Sequence, residues 1–306
     1  MCITHFYNIN KVDKKVNNSI IIAIWWGTME NKFLRYCTDT SLHATIILPG
    51  GCNAHCFFCY DISANVNNPN YIEDLSRVID KIPVEARKFA VTGMETTISP
   101  YFKDLLSLAE QYREIGRFDF NFLNTNGFML EKYADRIGKS FDSINISRHA
   151  ALDEDNYKIF DTNTVPNIEK LKFLINEMNL DSGVNINTVV TDDMSNYEVM
   201  KKIFEMIEVC KYIGAQSLTI RFEATDMLRK EPLIPELNQY ETLQYNANPG
   251  CRFWLKKING LYVVLKHVTK EPTSYSDWNY GYIIQRNLEV TKDWAGKKPH
   301  SLILTK

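Results

Sequence analysis

Three cysteines, Cys52, Cys56 and Cys59, stand at C-x3-C-x2-C spacing in the stretch Gly50-Gly51-Cys52-Asn53-Ala54-His55-Cys56-Phe57-Phe58-Cys59-Tyr60. Thiolates are soft ligands and suit zinc or iron–sulfur centres. A structural zinc site takes four protein ligands and usually brings its cysteines in pairs. Three cysteines leave one metal position open, as in a [4Fe–4S] cluster with one iron free for a small molecule. His55 could serve zinc as a fourth ligand, but it is adjacent to Cys56 and the geometry would be tight. The plain alternative is three buried thiols acting as small apolar side chains.

Other side chains able to do chemistry fall at the ends of apolar runs. Gly93-Met94-Glu95 offers a turn and a carboxylate, with a solvated helix-entry loop as the alternative. Asn145 and Ser147 lie two apart, so on a strand they share a face. Arg148 and His149 follow at the strand's end, where they could clamp an anion, or His149 could carry a proton. A surface ion pair and an ordinary loop histidine are the bland alternatives. Asn185 and Asn187 also share a face, and two amides on a buried strand are costly unless hydrogen-bonded, by a bound polar group or a water. Arg221 near a strand end, if turned inward, needs an anion.

These residues need strands to carry them. Ala44–Leu48 reads as a buried strand that Pro49, Gly50 and Gly51 terminate, so the following loop gathers its sulfurs around one point. Strands are then expected at 88–92, 118–124, 143–147, 183–190 and 217–222. Helices are expected between them at 71–81 (capped by Asn70), 101–111, 130–138, 168–178 and 197–212. Six β/α units in succession argue for a parallel sheet with helices outside it, and in such sheets chemistry gathers at the carboxyl ends of the strands. Before them, Ile20–Trp26 and Lys32–Cys37 read as a β-hairpin. After them, 253–258 and 261–266 read as a type I′ hairpin around Asn259-Gly260, with a second pair at 282–286 and 288–291. The expected division is 1–43, an N-terminal hairpin extension; 44–223, the barrel; and 224–306, a β-rich lid or wall.

With 45% apolar and 24% charged residues, the 306-residue chain can build a sizeable core. A net charge of −2 without a basic run gives no footprint for nucleic acid. No apolar run reaches the roughly 18 residues of a membrane span, and Met1–Asn10 does not read as a signal peptide. Seven cysteines with three clustered read as reduced thiols of a cytoplasmic protein.

The cysteine loop resembles the cluster motif of the radical S-adenosylmethionine (radical SAM) superfamily, C-x3-C-x-aromatic-C, with Phe58 in the aromatic position and Tyr60 beside the last cysteine. Gly93-Met94-Glu95-Thr96-Thr97 is similar to that family's T-G-G-E-P-T-L stretch, with Met94 for the second glycine and Thr96 for the proline. Thr125-Asn126-Gly127 resembles its T-N-G turn. Asn185-Ile186-Asn187-Thr188-Val189-Val190 and Arg221-Phe222 resemble the molybdenum-cofactor cyclase-like branch.

The resemblance implies a partial (β/α)6 barrel of TIM type and a [4Fe–4S] cluster on Cys52, Cys56 and Cys59. It implies S-adenosylmethionine (SAM) held by Phe58, Tyr60, Gly93, Met94, Glu95, Asn145, Ser147, Asn187 and Arg221, with Glu95 on the amino group. It further implies reductive cleavage of SAM to a 5′-deoxyadenosyl radical that abstracts hydrogen, in an oxygen-sensitive enzyme fed by a flavodoxin- or ferredoxin-type donor. An anionic small molecule, contacted by Arg148 and His149, is the expected substrate. A peptide maturase is the alternative within the family, and an iron–sulfur or zinc binding module the alternative outside it.

Overall fold

The computed structural model describes residues 42–59, 66–181, 183–191, 193–224, 234–246, 253–269 and 281–292. The chain divides into two compact units, Met1–Asp39 and Thr40–Lys306, and every described residue belongs to the second. The expected N-terminal hairpin, Tyr60, Cys2, Cys37 and Cys251 lie outside the described residues.

The alternation follows from where apolar side chains fall. β1 (Leu42–Ile47) runs into the cysteine loop. α1 (Tyr71–Asp80) buries Tyr71, Leu75 and Ile79, one side chain per turn on one face. Asn70 precedes it without capping it through its side chain. β2 (Ala86–Thr92), α2 (Phe102–Glu114), β3 (Phe120–Thr125), α3 (Leu130–Ser140) and β4 (Ser143–Ser147) follow. A short helix that the sequence reading leaves out, α4 (Asp153–Phe160), comes before α5 (Ile168–Met178) and β5 (Val184–Val190). α6 (Asn196–Ile213) starts on a capping box between Ser195 and Glu198 and stops at Gly214. β6 (Ser217–Ala224) ends the series.

The six strands are hydrogen-bonded in chain order, and each neighbouring pair is parallel. This is the partial (β/α)6 barrel, left open. Later strands extend it at both edges. β7 (Thr242–Asn246), β8 (Phe253–Ile258) and β9 (Leu261–Thr269) join beyond β6, with β9 parallel to β6 and the β8–β9 hairpin turning at Asn259-Gly260. β10 (Gly281–Ile284) lies parallel to β1 on the other edge, with β11 (Val290–Thr291) antiparallel outside it. The whole is one eleven-stranded sheet.

The two faces of the sheet differ in chemistry. Ala44, Ile46, Phe89, Val91, Leu123, Ile144, Ile146, Ile186, Leu218 and Ile220 are fully buried in the core they share with the helices. Each fully buried large side chain of this kind contributes on the order of 1.5–3 kcal/mol. The alternate residues of β4–β6 are Asn145, Asn185, Asn187, Ser217 and Thr219, in register with one another. Asn185 is satisfied within the sheet, its Oδ1 accepting from Ser217 Oγ at 2.9 Å and Thr219 Oγ1 at 3.2 Å. An apolar outer face and a polar inner one place the chemistry inside the open barrel.

Candidate functional site

The cysteine loop is held from three directions. From β2, Ser99 Oγ donates to Pro49 O at 2.6 Å and Glu95 N to Gly51 O at 3.1 Å. Gly93 makes this approach possible, since at φ +145° a Cβ would stand 2.9 Å from the Leu48 carbonyl oxygen. Met94 is absent from the residues with positive φ, so a side chain there meets no backbone penalty. From β3, Asn126 Nδ2 donates to Asn53 Oδ1 at 2.8 Å and lies 3.8 Å from Cys52 Sγ. From α4, Phe160 O accepts from His55 N at 2.8 Å, Asn53 Nδ2 donates to Thr164 Oγ1 at 2.8 Å, and Ala54, Phe160 and Val165 form a small apolar cluster with Cys52 and Cys56 against it.

Cys52 and Cys56 are half-buried, and Cys59 is exposed. Burial, then Cys59 and Cys52, pushes the Cys56 thiol up to about 12. Burial, Glu95 and Cys59 raise Cys52. Mutual repulsion of this kind means the sulfurs are neighbours, and a cationic centre among them would relieve it. Among the described residues no three of His, Cys, Asp and Glu are grouped so as to hold one metal ion, and His55 is exposed. The three sulfurs are neighbours that leave one metal position without a protein ligand. They suit a cluster in which each takes a separate iron, and they do not suit a closed zinc site.

Asn145 and Asn187, both buried, keep Oδ1 without a hydrogen-bond partner among the described residues. Ser147 pairs in register with Asn187, and Arg221 follows Thr219 on the same face of β6. The inner wall thus retains the polar capacity that a bound polar cofactor would use.

Three residues expected at the site, Glu95, Arg148 and His149, are all buried. Glu95 is 1% exposed, and its carboxylate is taken up inside the protein. Oε1 accepts from Thr97 N, Thr97 Oγ1 and Thr125 Oγ1, and Oε2 from Asn126 N. Burial raises its pKa against those four bonds. It braces two strand-end loops, with all four of its hydrogen bonds made to protein groups. Arg148 is also 1% exposed and does not stand at the barrel mouth. It has the helix-facing parity of Ile144 and Ile146, donates from Nη2 to Ala151 O and Asp153 Oδ1 at 2.8 Å each, and feels Tyr157 and Cys210 of the outer layer.

His149 has the inward parity of Asn145 and Ser147, but it is 5% exposed and not a rim residue. Its ring stands edge-on to Phe58 at 4.9 Å and against Phe160 at 4.8 Å. Its backbone N donates to Asn156 Oδ1 at 2.8 Å, and its Nδ1 accepts from Val189 N at 3.3 Å. Burial, aided by Lys202, Arg221 and Arg148, pushes its pKa down to about 3. His149 is therefore neutral, with its proton on Nε2.

Sequence reasoning missed Asn126 as a partner of Cys52 and Asn53, and Lys202. Asn126 carried a signal in the turn it belongs to. Lys202 carried none, because it lies on a helix with charged neighbours.

An open parallel barrel with a three-cysteine loop at the carboxyl end of β1 and a polar inner wall defines a class of cofactor-dependent radical enzymes. The model of the radical SAM superfamily matches residues 46–207, more than half of the chain, and the chain belongs to that family. It is a radical SAM enzyme, and its cofactors are a [4Fe–4S] cluster and S-adenosylmethionine.

Among curated relatives, a probable GTP 3′,8-cyclase of Sulfolobus acidocaldarius is 23% identical over 59% of this chain and 46% of its own length. One from Methanococcus maripaludis is 25% identical over 62% of this chain and 59% of its own. The chain spans about half the length of these relatives, which agree with the resemblance to the molybdenum-cofactor cyclase-like branch. The crystal structure of Streptococcus suis SuiB bound to precursor peptide SuiA superposes with a TM-score of 0.54 at 13% identity, covering 99% of this chain and 72% of that one. That likeness is one of fold. No helix among the described residues is long and apolar enough to cross a membrane.

Proposed function

We propose that this enzyme acts on an anionic small molecule held over the inner face of β4–β6. When bound on Cys52, Cys56 and Cys59 and along the inner wall, the cluster and SAM supply one-electron chemistry that ends in abstraction of a hydrogen atom from substrate. The chain's own residues bind and orient. Asn145 and Asn187 offer unpaired carbonyl oxygens to donors on the cofactor, and His149 offers its Nε2–H as a neutral donor beside Phe58. A flavodoxin- or ferredoxin-type protein is the proposed reductant.

The observation that carries the anionic reading is electrostatic. The charged groups acting on His149 are cations: Lys202 from α6, Arg148 from the helix side where it pairs with Asp153, and Arg221 on the inner face itself. A low-dielectric wall amplifies such a field and favours a carboxylate or phosphate over a neutral analogue. The GTP in the names of the two curated relatives is an anion of that kind.

Titration calorimetry of the reconstituted enzyme under anaerobic conditions, with GTP and then guanosine, tests the reading. GTP is expected to bind at least tenfold more tightly, and Arg221→Ala to remove that preference while leaving the affinity for SAM within twofold. Equal affinity for the two probes would sink the anionic reading. A loss of SAM affinity in Arg221→Ala would assign Arg221 to the cofactor.

A further inference from the structure

Lys202 is an unusual residue for the second turn of α6. Its side chain is half-buried, and its ammonium donates to the Val189 carbonyl at 2.7 Å. Among the described residues it has no ion pair with a carboxylate. Burial lowers its pKa to about 8. A lysine on a surface helix can turn its head to water at little cost, and this one is instead spent on a strand end.

Val189 is held at both of its polar atoms. Its carbonyl accepts from Lys202 Nζ, and its N–H donates to His149 Nδ1. The bond to Nδ1 decides which ring nitrogen of His149 carries the proton. β5 pairs with β6 as far as Val190, but on the side facing His149, Val189 N–H meets His149 Nδ1 instead of a strand partner and its carbonyl accepts from Lys202.

We propose that Lys202 is a positioning residue, which anchors the end of β5 so that Val189 N–H caps His149 Nδ1 and leaves the Nε2–H turned toward bound reactants. Without the anchor Val189 moves, Nδ1 loses its donor, and the imidazole can take either tautomer. The inference rests on the reading that His149 presents Nε2–H. Its test separates the two.

The experiment uses the full-length protein labelled with [15N]histidine, with His149 assigned from the signal lost in His149→Gln. The wild type is expected to show one tautomer, with a pyrrole-type Nε2 and a pyridine-type Nδ1. Lys202→Met is expected to give mixed tautomers at His149 with an unfolding temperature near that of wild type, and Lys202→Arg to restore the single tautomer. A single Nε2–H tautomer persisting in Lys202→Met would overturn the proposal. So would a Lys202→Met protein that fails to fold, because the lysine would then be a structural strut. A wild-type His149 already mixed or Nδ1-protonated would remove the reading of His149 beneath it.

Discussion

A carboxylate buried beside a metal-binding loop can be a ligand or a brace, and the partners of Glu95 give it a bracing role. All four donors on it are protein groups from residues 97, 125 and 126, so its removal strands them in the interior. Each buried polar group left unpaired costs about 1–3 kcal/mol. Glu95→Ala is therefore expected to lower the unfolding temperature of the ligand-free chain by more than about 5 °C, read by differential scanning fluorimetry. An unchanged unfolding temperature with weakened SAM binding would restore Glu95 as a ligand.

His149 yields a prediction about acid. Its folded-state pKa of about 3 lies below the ordinary 6.5. As pH falls below 6.5 the unfolded chain takes up a proton that the folded chain refuses. Its contribution to stability is thus complete above that value and is lost progressively down to about 3. The upper bound on the slope is about 1.4 kcal/mol per pH unit. Urea unfolding of wild type and His149→Gln between pH 7.5 and 5 (values chosen for the assay, roughly spanning the ordinary histidine range) should show a difference that shrinks with acid. A pH-independent difference would mean that His149 titrates normally.

At the scale of elements, α4 does the most with the least. It offers the core only Asn156 and Phe160, yet Asn156 holds the His149 backbone and Phe160 holds the cysteine loop by a hydrogen bond and by contact. Phe160→Ala removes a ring that packs on the loop, a change that costs about 3–5 kcal/mol in a core. The expected result is a protein with unchanged far-UV circular dichroism that reconstitutes to less than half the wild-type iron per chain. Full iron content with wild-type air stability would show that β2 and β3 suffice to hold the loop.

The β/α series was legible because short strands of alternating apolar and polar residues, such as Ser143–Ser147 and Val184–Val190, recur between helices of clear periodicity. The element α4 was not, because Asp153-Glu154-Asp155-Asn156 has no apolar stripe to announce it. Within the site, the cysteines and the inward face of Asn145, Ser147 and Asn187 could be read from spacing. The side on which Arg148 lies was available from the same alternation, since it continues Ile144 and Ile146, but position at a strand end suggested the mouth instead. The surroundings of Glu95 were hidden because two of its four donors come from another loop about thirty residues on.

For the molecule as a whole, the late strands complete the sheet on both sides. β10 meets β1 at close quarters, and a Cβ on Gly281, at φ +110°, would stand 2.2 Å from the His43 carbonyl oxygen. Gly281→Ala is expected to unseat β10 and uncover an edge of β1, lowering soluble yield and unfolding temperature together. Normal yield and stability for this variant would show that the β1–β10 pairing is dispensable.

That pairing also has a consequence in time. β1 is made early, and the strand that closes its free side, at 281–284, leaves the ribosome more than two hundred residues later. Such a distant contact forms slowly and only after the intervening chain is available. Through most of synthesis the cysteine loop therefore hangs from a strand with a bare flank, at the stage when nascent chains are most prone to mispair. The flank of the strand that carries the cysteine loop is thus completed only when residues 281–284 have been made.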